Sequence, residues 1–244
     1  MKYTETKPCS ELQAYIHCFW ELTGGDNDKK WERNFPDGCS GLVMNLGNTC
    51  ITDNGAVRMD FGKTYAVGTM TSYKDSFIEG DTRLFGVCLK PATFANFYNF
   101  IPQNQLTDQT IQLEQSKSFN IAKLTNRPIE YLNTFFACRL NTQNELLMSV
   151  INDINQSHGQ LSILEIAKKN FVTVRWVERN FQMFIGLTPK QYSNIVRFQR
   201  VLSKINNSTN KQSLLDIAID CGFYDHSHLT NEIRKNTGLA PSQL

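Results

Sequence analysis

Near the carboxy terminus, Cys221, Asp225, His226 and His228 fall within eight residues, and these are the donor types that could hold a zinc ion. The spacing argues against it. Residues two apart on a helix point to different faces, so His226 and His228 do not chelate one ion, and the i,i+4 histidine pair of helical zinc sites is absent. The other two histidines, His17 and His158, are isolated. The seven cysteines (Cys9, Cys18, Cys39, Cys50, Cys88, Cys138, Cys221) include no CxxC pair, which excludes a zinc knuckle or a thioredoxin-type motif. An odd, scattered set fits buried thiols in a reducing cytoplasm. No metal ligands and no cofactor are expected.

Two other clusters carry a different chemistry. Arg175, Trp176, Glu178, Arg179 and Gln182 form one, and His226, Ser227, His228 and Asn231 the other, with Arg234 a turn later. Side chains of these types match the edges of bases in a DNA major groove. Arg179 can give two donors to guanine O6 and N7, Glu178 can accept from cytosine N4, Trp176 can meet a thymine methyl, and Asn231 can pair with adenine N6 and N7. The plain alternative is a solvated helix face on which Glu178 only orients Arg179 and Trp176 only packs.

Such residues read bases only if helices hold them outward, and from Leu161 onward the chain reads entirely as helix. Ser162 is placed as an N-cap with Glu165 completing a capping box, Thr173 and Ser213 as further N-caps, and Gly238 as a C′ glycine. Pro189 opens a long helix over 189–205. One unit occurs twice. Ile166-Ala167 matches Ile217-Ala218, and Val177, Phe181, Gly186, Leu187 and Pro189 match Leu229, Ile233, Gly238, Leu239 and Pro241. A short helix, a tight turn and a second helix, repeated after about 52 residues, is a helix-turn-helix pattern. The turn favours glycine where the second copy has Gly222, and the first has Phe171 there, a less ideal turn.

Residues 158 to 244 resemble the AraC/XylS family of bacterial transcription regulators, most strongly in "IAIDCGFYDHSHLTNEIRKNTGLAPSQL" and in "GLTPKQY" ahead of the long helix. "FPDGCSGLVMNLG" and "LFGVCLKPATFANFYN" are similar to the amino-terminal domain of a subgroup of that family. The resemblance implies double-stranded DNA as partner, RNA polymerase as a second, a possible homodimer, and a possible small-molecule effector. Activation is the family's habit. It places base-reading residues at His226, Ser227, His228 and Asn231, where many relatives carry Arg in place of Asn231. The first helix should therefore hold more of the specificity. Phosphate contacts are expected from the helix starts at Ser162, Thr173 and Ser213 and from Lys190, Thr230, Arg234 and Lys235. The long helix would set the two reading helices about ten base pairs apart.

Charge supports this division. Residues 157 to 244 hold 11 Lys+Arg against 6 Asp+Glu, a net +5 within a chain whose total is only +2. A basic last third joined to an acidic first part suggests a polyanionic partner. The first ninety residues read as short strands: 14–22, 41–47, 56–62, 63–70 and 82–90. Helices are expected over 91–100, 128–140 and 144–155, the last two free to pack on the strands or to pair subunits. The fold class is α+β: a small β-barrel or sandwich with flanking helices, then an all-α double helix-turn-helix domain. Domains are placed at 1–156 and 157–244, joined through "QSHGQ" (156–160). Trp20, Trp31, Phe35, Tyr65 and Phe85 could line a ligand pocket, though such aromatics more often form plain core.

No stretch has the roughly 20 apolar residues of a membrane span, nor is there a signal-peptide core, so a cytoplasmic, nucleoid-associated bacterial protein is expected. An enzyme is disfavoured. Cys39 has no visible base, a DNA-repair enzyme with this kind of domain needs a clustered cysteine zinc site, and a metal-dependent barrel enzyme needs more histidines. A DNA-binding protein with a purely structural first domain is the other alternative.

Overall fold

The computed structural model describes residues 1–98, 101–142, 144–207 and 213–244. The amino-terminal part is built from strands β1 (Lys2–Thr6), β2 (Ile16–Thr23), β3 (Lys29–Asn34), β4 (Ser40–Asn45), β5 (Cys50–Thr52), β6 (Val57–Met59), β7 (Thr64–Val67), β8 (Lys74–Glu79), β9 (Arg83–Leu89) and β10 (Thr110–Gln112). They form a six-stranded sheet in the order β1-β2-β9-β4-β7-β10 and a four-stranded sheet in the order β3-β8-β5-β6. Of the expected barrel or sandwich, the open form is found: β1 and β10 are edges of the larger sheet, and neither sheet closes among the described residues.

Alternation along the central strands assigns each face. On β4, Leu42 and Met44 point into a core with Phe19, Val87, Phe94, Phe97 and Phe136, while Val43 joins Cys50, Met59, Tyr65 and Leu84 between the sheets. The outer face of the larger sheet is covered by helices α1 (Ile121–Asn126) and α2 (Pro128–Ala137), which supply Leu124, Leu132, Phe135 and Phe136 to the first of these cores. The helix expected over 91–100 is replaced by a single 3-10 turn, Phe94–Asn96; its last two positions lie outside the described residues. The cause is local. Ala92 takes φ +66, and the Thr93 hydroxyl donates to the carbonyls of Tyr15 (2.7 Å) and Lys90 (2.8 Å), so the chain turns in the first residues after Pro91.

Six helices follow: α3 (Glu145–Gln156), α4 (Ile163–Lys169), α5 (Val174–Phe184), α6 (Pro189–Asn207), α7 (Leu214–Asp220) and α8 (His226–Thr237). They enclose two cores joined by α6. One gathers Ile166, Val177, Phe181 and Leu187 with Ile195, and the other Ile217, Ala218, Leu229 and Ile233 with Val201. Helix α3 packs into the first of these through Leu147, Val150, Ile151 and Ile154. A polar network fixes it there. Asn170, buried at the end of α4, accepts from Ser149 Oγ at 2.7 Å and donates to Asp153 Oδ2 at 2.7 Å, while Lys169 pairs with Asp153. The corner at 156–160 is packed as well: Gly159 takes φ +71, and a Cβ there would stand 2.2 Å from the Ser193 carbonyl oxygen. No helix is long and apolar enough to cross a membrane among the described residues.

Candidate nucleic-acid interface

Each helix-turn-helix copy is built by the same local devices. Ser162 accepts from the Glu165 amide, and Glu165 Oε2 accepts from the Ser162 amide at 2.8 Å; Ser213 and Asp216 repeat the arrangement with 3.0 Å for the return bond. Such boxes start helices because they satisfy amides that have no intrahelical partner. The second helices start at Thr173, which accepts from the Trp176 amide at 3.1 Å, and at Asp225, which accepts from the His228 amide at 2.7 Å. The turns between the helices are also equivalent. Phe171 takes φ +55 and Gly222 φ +76, so a residue with a full side chain is held in the left-handed conformation that glycine adopts freely. Its ring is 98% exposed. The second turn is longer by one residue, with three steps from Gly222 to Asp225 against two from Phe171 to Thr173.

Burying one face of each second helix leaves the other bare. On α5, Val177 and Phe181 are in the core, and Arg175, Glu178 and Arg179 are exposed. On α8, Leu229 and Ile233 are buried, and His226, Ser227, His228 and Asn231 are exposed. The side chains of Arg175, Glu178 and Arg179 have no hydrogen bond or ion pair to any described residue, so Glu178 does not orient Arg179 in this state. Trp176 and Gln182 are half-buried, and Trp176 packs against the first helical core. His228 stacks edge-on against Phe223, with ring centroids 5.3 Å apart, which fixes its ring at the start of α8. Asn231 occupies the position that Arg179 holds one repeat earlier.

The expected phosphate contacts divide. Lys190, Arg234 and Lys235 are exposed cations. Ser162 and Ser213 direct their hydroxyls to Glu165 (2.7 Å) and Asp216 (2.6 Å), which leaves only the next backbone amides of those helix starts for a phosphate. Hydrogen bonds from the capping serines hold both of these carboxyls below their usual range, so each places a negative charge beside the amides. The Thr173 side chain is taken up as a cap, and Thr230 donates to the His226 carbonyl at 2.7 Å. Sequence reasoning missed Arg197 on α6, which donates to Asn194 (2.5 Å) and to the Gly222 carbonyl (3.4 Å) and lies 5.4 Å from the Phe223 ring centroid. It ties the linker helix to the second turn. A cation in mid-helix is the one sequence signal it leaves.

The β-rich part grips the ends of the helical units away from these faces. Thr69 donates to the Ile185 carbonyl and Thr107 to the Gly186 carbonyl, both at 2.7 Å, at the end of α5. Arg33, paired bidentately with Asp75 at 2.7 and 2.8 Å, donates to the Thr237 carbonyl at the end of α8 (2.8 Å). Between the sheets lies a cavity of about 420 Å³. Trp20 and Phe35 line it. The other three aromatics expected there do not: Phe85 is on the opposite face of its strand in the sheet–helix core, Tyr65 is buried with its hydroxyl accepting from the Asp60 amide (2.9 Å), and Trp31 is exposed against Phe77. Inside the cavity, Lys74 pairs with Asp53 at 2.8 Å, both nearly buried.

Residues 166–244 match a family described as a helix-turn-helix domain; the match takes in the second copy whole and the first from Ile166, beyond its Ser162–Glu165 cap. The helical part thus resembles the DNA-binding domain of AraC/XylS regulators. Residues 4–112 match a family described as a domain of unknown function, DUF6597. The HTH-type transcriptional activator RhaS of Escherichia fergusonii is 26% identical over 152 residues, 57% of this chain and 53% of that protein. RhaS of Klebsiella pneumoniae is 30% identical over 80 residues, 33% of this chain and 28% of its own. The matches thus span about half the length of these AraC/XylS relatives or less. ToxT of Vibrio cholerae shares the fold across 100% of this chain and 97% of its own, with a TM-score of 0.51 at 11% identity.

Proposed function

We propose that the chain is a sequence-specific DNA-binding regulator of transcription, and not an enzyme. It reads two successive major-groove segments through α5 and α8. The observation that carries this is the pair of matched helices, each anchored by its apolar stripe and each presenting polar side chains that the fold leaves unengaged. Arg175 and Arg179 supply charge and bidentate donors, His226, Ser227 and Asn231 supply further hydrogen-bonding groups, and Lys190, Arg234 and Lys235 meet phosphate. Helix α6, about 28 Å long at 1.5 Å per residue, sets the spacing between them.

The division between the parts falls between α2 and α3. Helix α3 shares the first helical core, whereas the segment after α2 is held to the β-rich part by Asn96, whose amide donates to the Asn141 and Thr142 carbonyls, both at 3.0 Å. The protein acts in the bacterial cytoplasm, at the nucleoid, as an activator that touches RNA polymerase and works as a homodimer. Its signal is a small molecule in the inter-sheet cavity. ToxT bound to (E)-4-(8-methylnaphthalen-1-yl)but-3-enoic acid, with a TM-score of 0.50 and 12% identity, lends support for a compact, largely apolar effector of that class. The test is promoter response with the whole chain and with residues 1–140 removed. An effector-controlled protein loses its regulation on truncation. If neither truncation nor any small molecule alters the response, the first domain is a scaffold.

A further inference from the structure

Three cysteines that are far apart in sequence meet at one end of the inter-sheet cavity. Cys18 on β2 and Cys88 on β9 are directly paired across the strands, and β4, which begins one residue after Cys39, pairs with β9 on its other side. Cys88 thus stands between the other two cysteines. The Asp37 carboxylate completes the group. The ligand atoms of Asp37, Cys39 and Cys88 all lie within 4.8 Å of one another. Asp37 is held in place by its own turn, with Oδ1 accepting from the Cys39 amide at 2.9 Å. All four side chains line the cavity, as does His17.

From this geometry we propose that Cys39, Cys88 and Asp37, with Cys18 as the fourth ligand, form a binding site for a thiophilic d10 cation such as Zn²⁺ or Cd²⁺. The donor set is the one such ions take, three thiolates and a carboxylate. Zn–S bonds of about 2.3 Å require ligand atoms about 3.8 Å apart, and the Asp37, Cys39 and Cys88 ligand atoms already lie within 4.8 Å of one another. Each thiol that coordinates releases its proton to water, so binding is a proton-for-metal exchange that strengthens as pH rises. The thiols are all shifted above their usual range: Cys18 first by its hydrogen bond to Cys88 and then by burial; Cys88, against the lowering effect of Cys18, by its hydrogen bond to Cys39 and by burial; and Cys39, against the lowering effect of Cys88, by burial and the nearby Asp37 carboxylate. Neutral thiols of this kind are poor nucleophiles, which separates the site from a reactive-cysteine sensor.

The site lies beneath the linker helix. A Cβ on Gly38 would stand 2.8 Å from the Tyr192 ring, Phe35 packs edge-on against Phe198, and Gln199 donates to the Pro36 carbonyl at 2.6 Å. The metal site does not rest on the DNA-binding reading, and its test is independent of DNA.

The experiment is titration of the reduced full-length protein with Cd²⁺, followed by the ultraviolet thiolate-to-metal charge-transfer band, with Zn²⁺ as competitor. One saturable equivalent is expected. Cys39→Ser and Cys88→Ser should each weaken it at least tenfold, Asp37→Asn should weaken it less, and Cys138→Ser should leave it unchanged. Alkylation of the wild-type protein with and without Cd²⁺, read by mass spectrometry, covers the case of a variant that fails to fold: Cys39 and Cys88 should be protected. The proposal is overturned by the absence of a saturable band, by a band that survives both serine substitutions, or by protection of Cys9 or Cys138 instead.

Discussion

The two helix-turn-helix copies share a frame and differ in what they present. Both have a serine capping box, a small residue in the first helix, a left-handed turn residue and an apolar pair that seats the second helix. The first copy spends these on a charged face, Arg175, Glu178 and Arg179, but accepts Phe171 where the backbone favours glycine. The second has the relaxed turn at Gly222 and a face of His226, Ser227, His228 and Asn231 that carries no arginine or lysine. We therefore propose the first copy as the stronger reader on a more strained frame, and the second as the weaker reader on a relaxed one. Packing positions repeat because both helices meet the same geometric demand. On the proposed function, reading positions diverge because each would meet a different base sequence.

The largest effects should be equal in the two copies. Phe181 and Ile233 are fully buried at the same repeat position. Phe181→Ala should cost about 3–5 kcal/mol and Ile233→Ala about 2–5 kcal/mol in urea unfolding. A loss confined to one of them would mean that the two cores are not equivalent.

DNA contacts should then separate the copies. Arg179→Ala should lower specific affinity by about 1–3 kcal/mol and relax one base position, and Asn231→Ala should cost less, as measured by fluorescence anisotropy at fixed salt. The reverse ranking would move the main reader to α8.

The turns give a smaller effect of opposite sign. Phe171→Gly should raise stability by up to ~1 kcal/mol through relief of the positive φ, and Gly222→Ala should lower it by a similar amount, with a Cβ placed 3.1 Å from Gln160 Cγ. Equal destabilisation by both would show that Phe171 has a packing role, despite its exposure. Last, Asn231→Arg should add one phosphate-range cation and steepen the dependence of log K on log salt by about one. An unchanged slope would mean that this position faces away from the backbone.

Local chemistry was legible in the sequence. The caps at Ser162, Thr173 and Ser213, the glycine at 238 and the apolar stripes of α5 and α8 depend on neighbours within four residues, and they form as expected. What depends on partners was not. The pattern of α3 shows that one face is buried but not against which domain, so its place in the helical core emerged only from the structure. Strands β1, β3 and β8 are polar and charged, because they lie at or near sheet edges, and they escaped a search for apolar runs. The pocket residues turn on register: a bulge between Ile16 and Cys18 sets the β2 face on which Trp20 meets the cavity, while strand alternation sends Phe85 to the other side. The thiol group spans 70 positions and exists only through the β2–β9–β4 pairing, which no local spacing rule detects.

The most direct test is binding-site selection from random DNA with the wild-type protein, Arg179→Ala and Asn231→Ala. Two conserved segments about ten base pairs apart are expected, with one position of one segment randomised by Arg179→Ala and a fainter change in the other segment from Asn231→Ala. A single segment, or an identical consensus for all three proteins, would contradict the account of two reading helices led by α5.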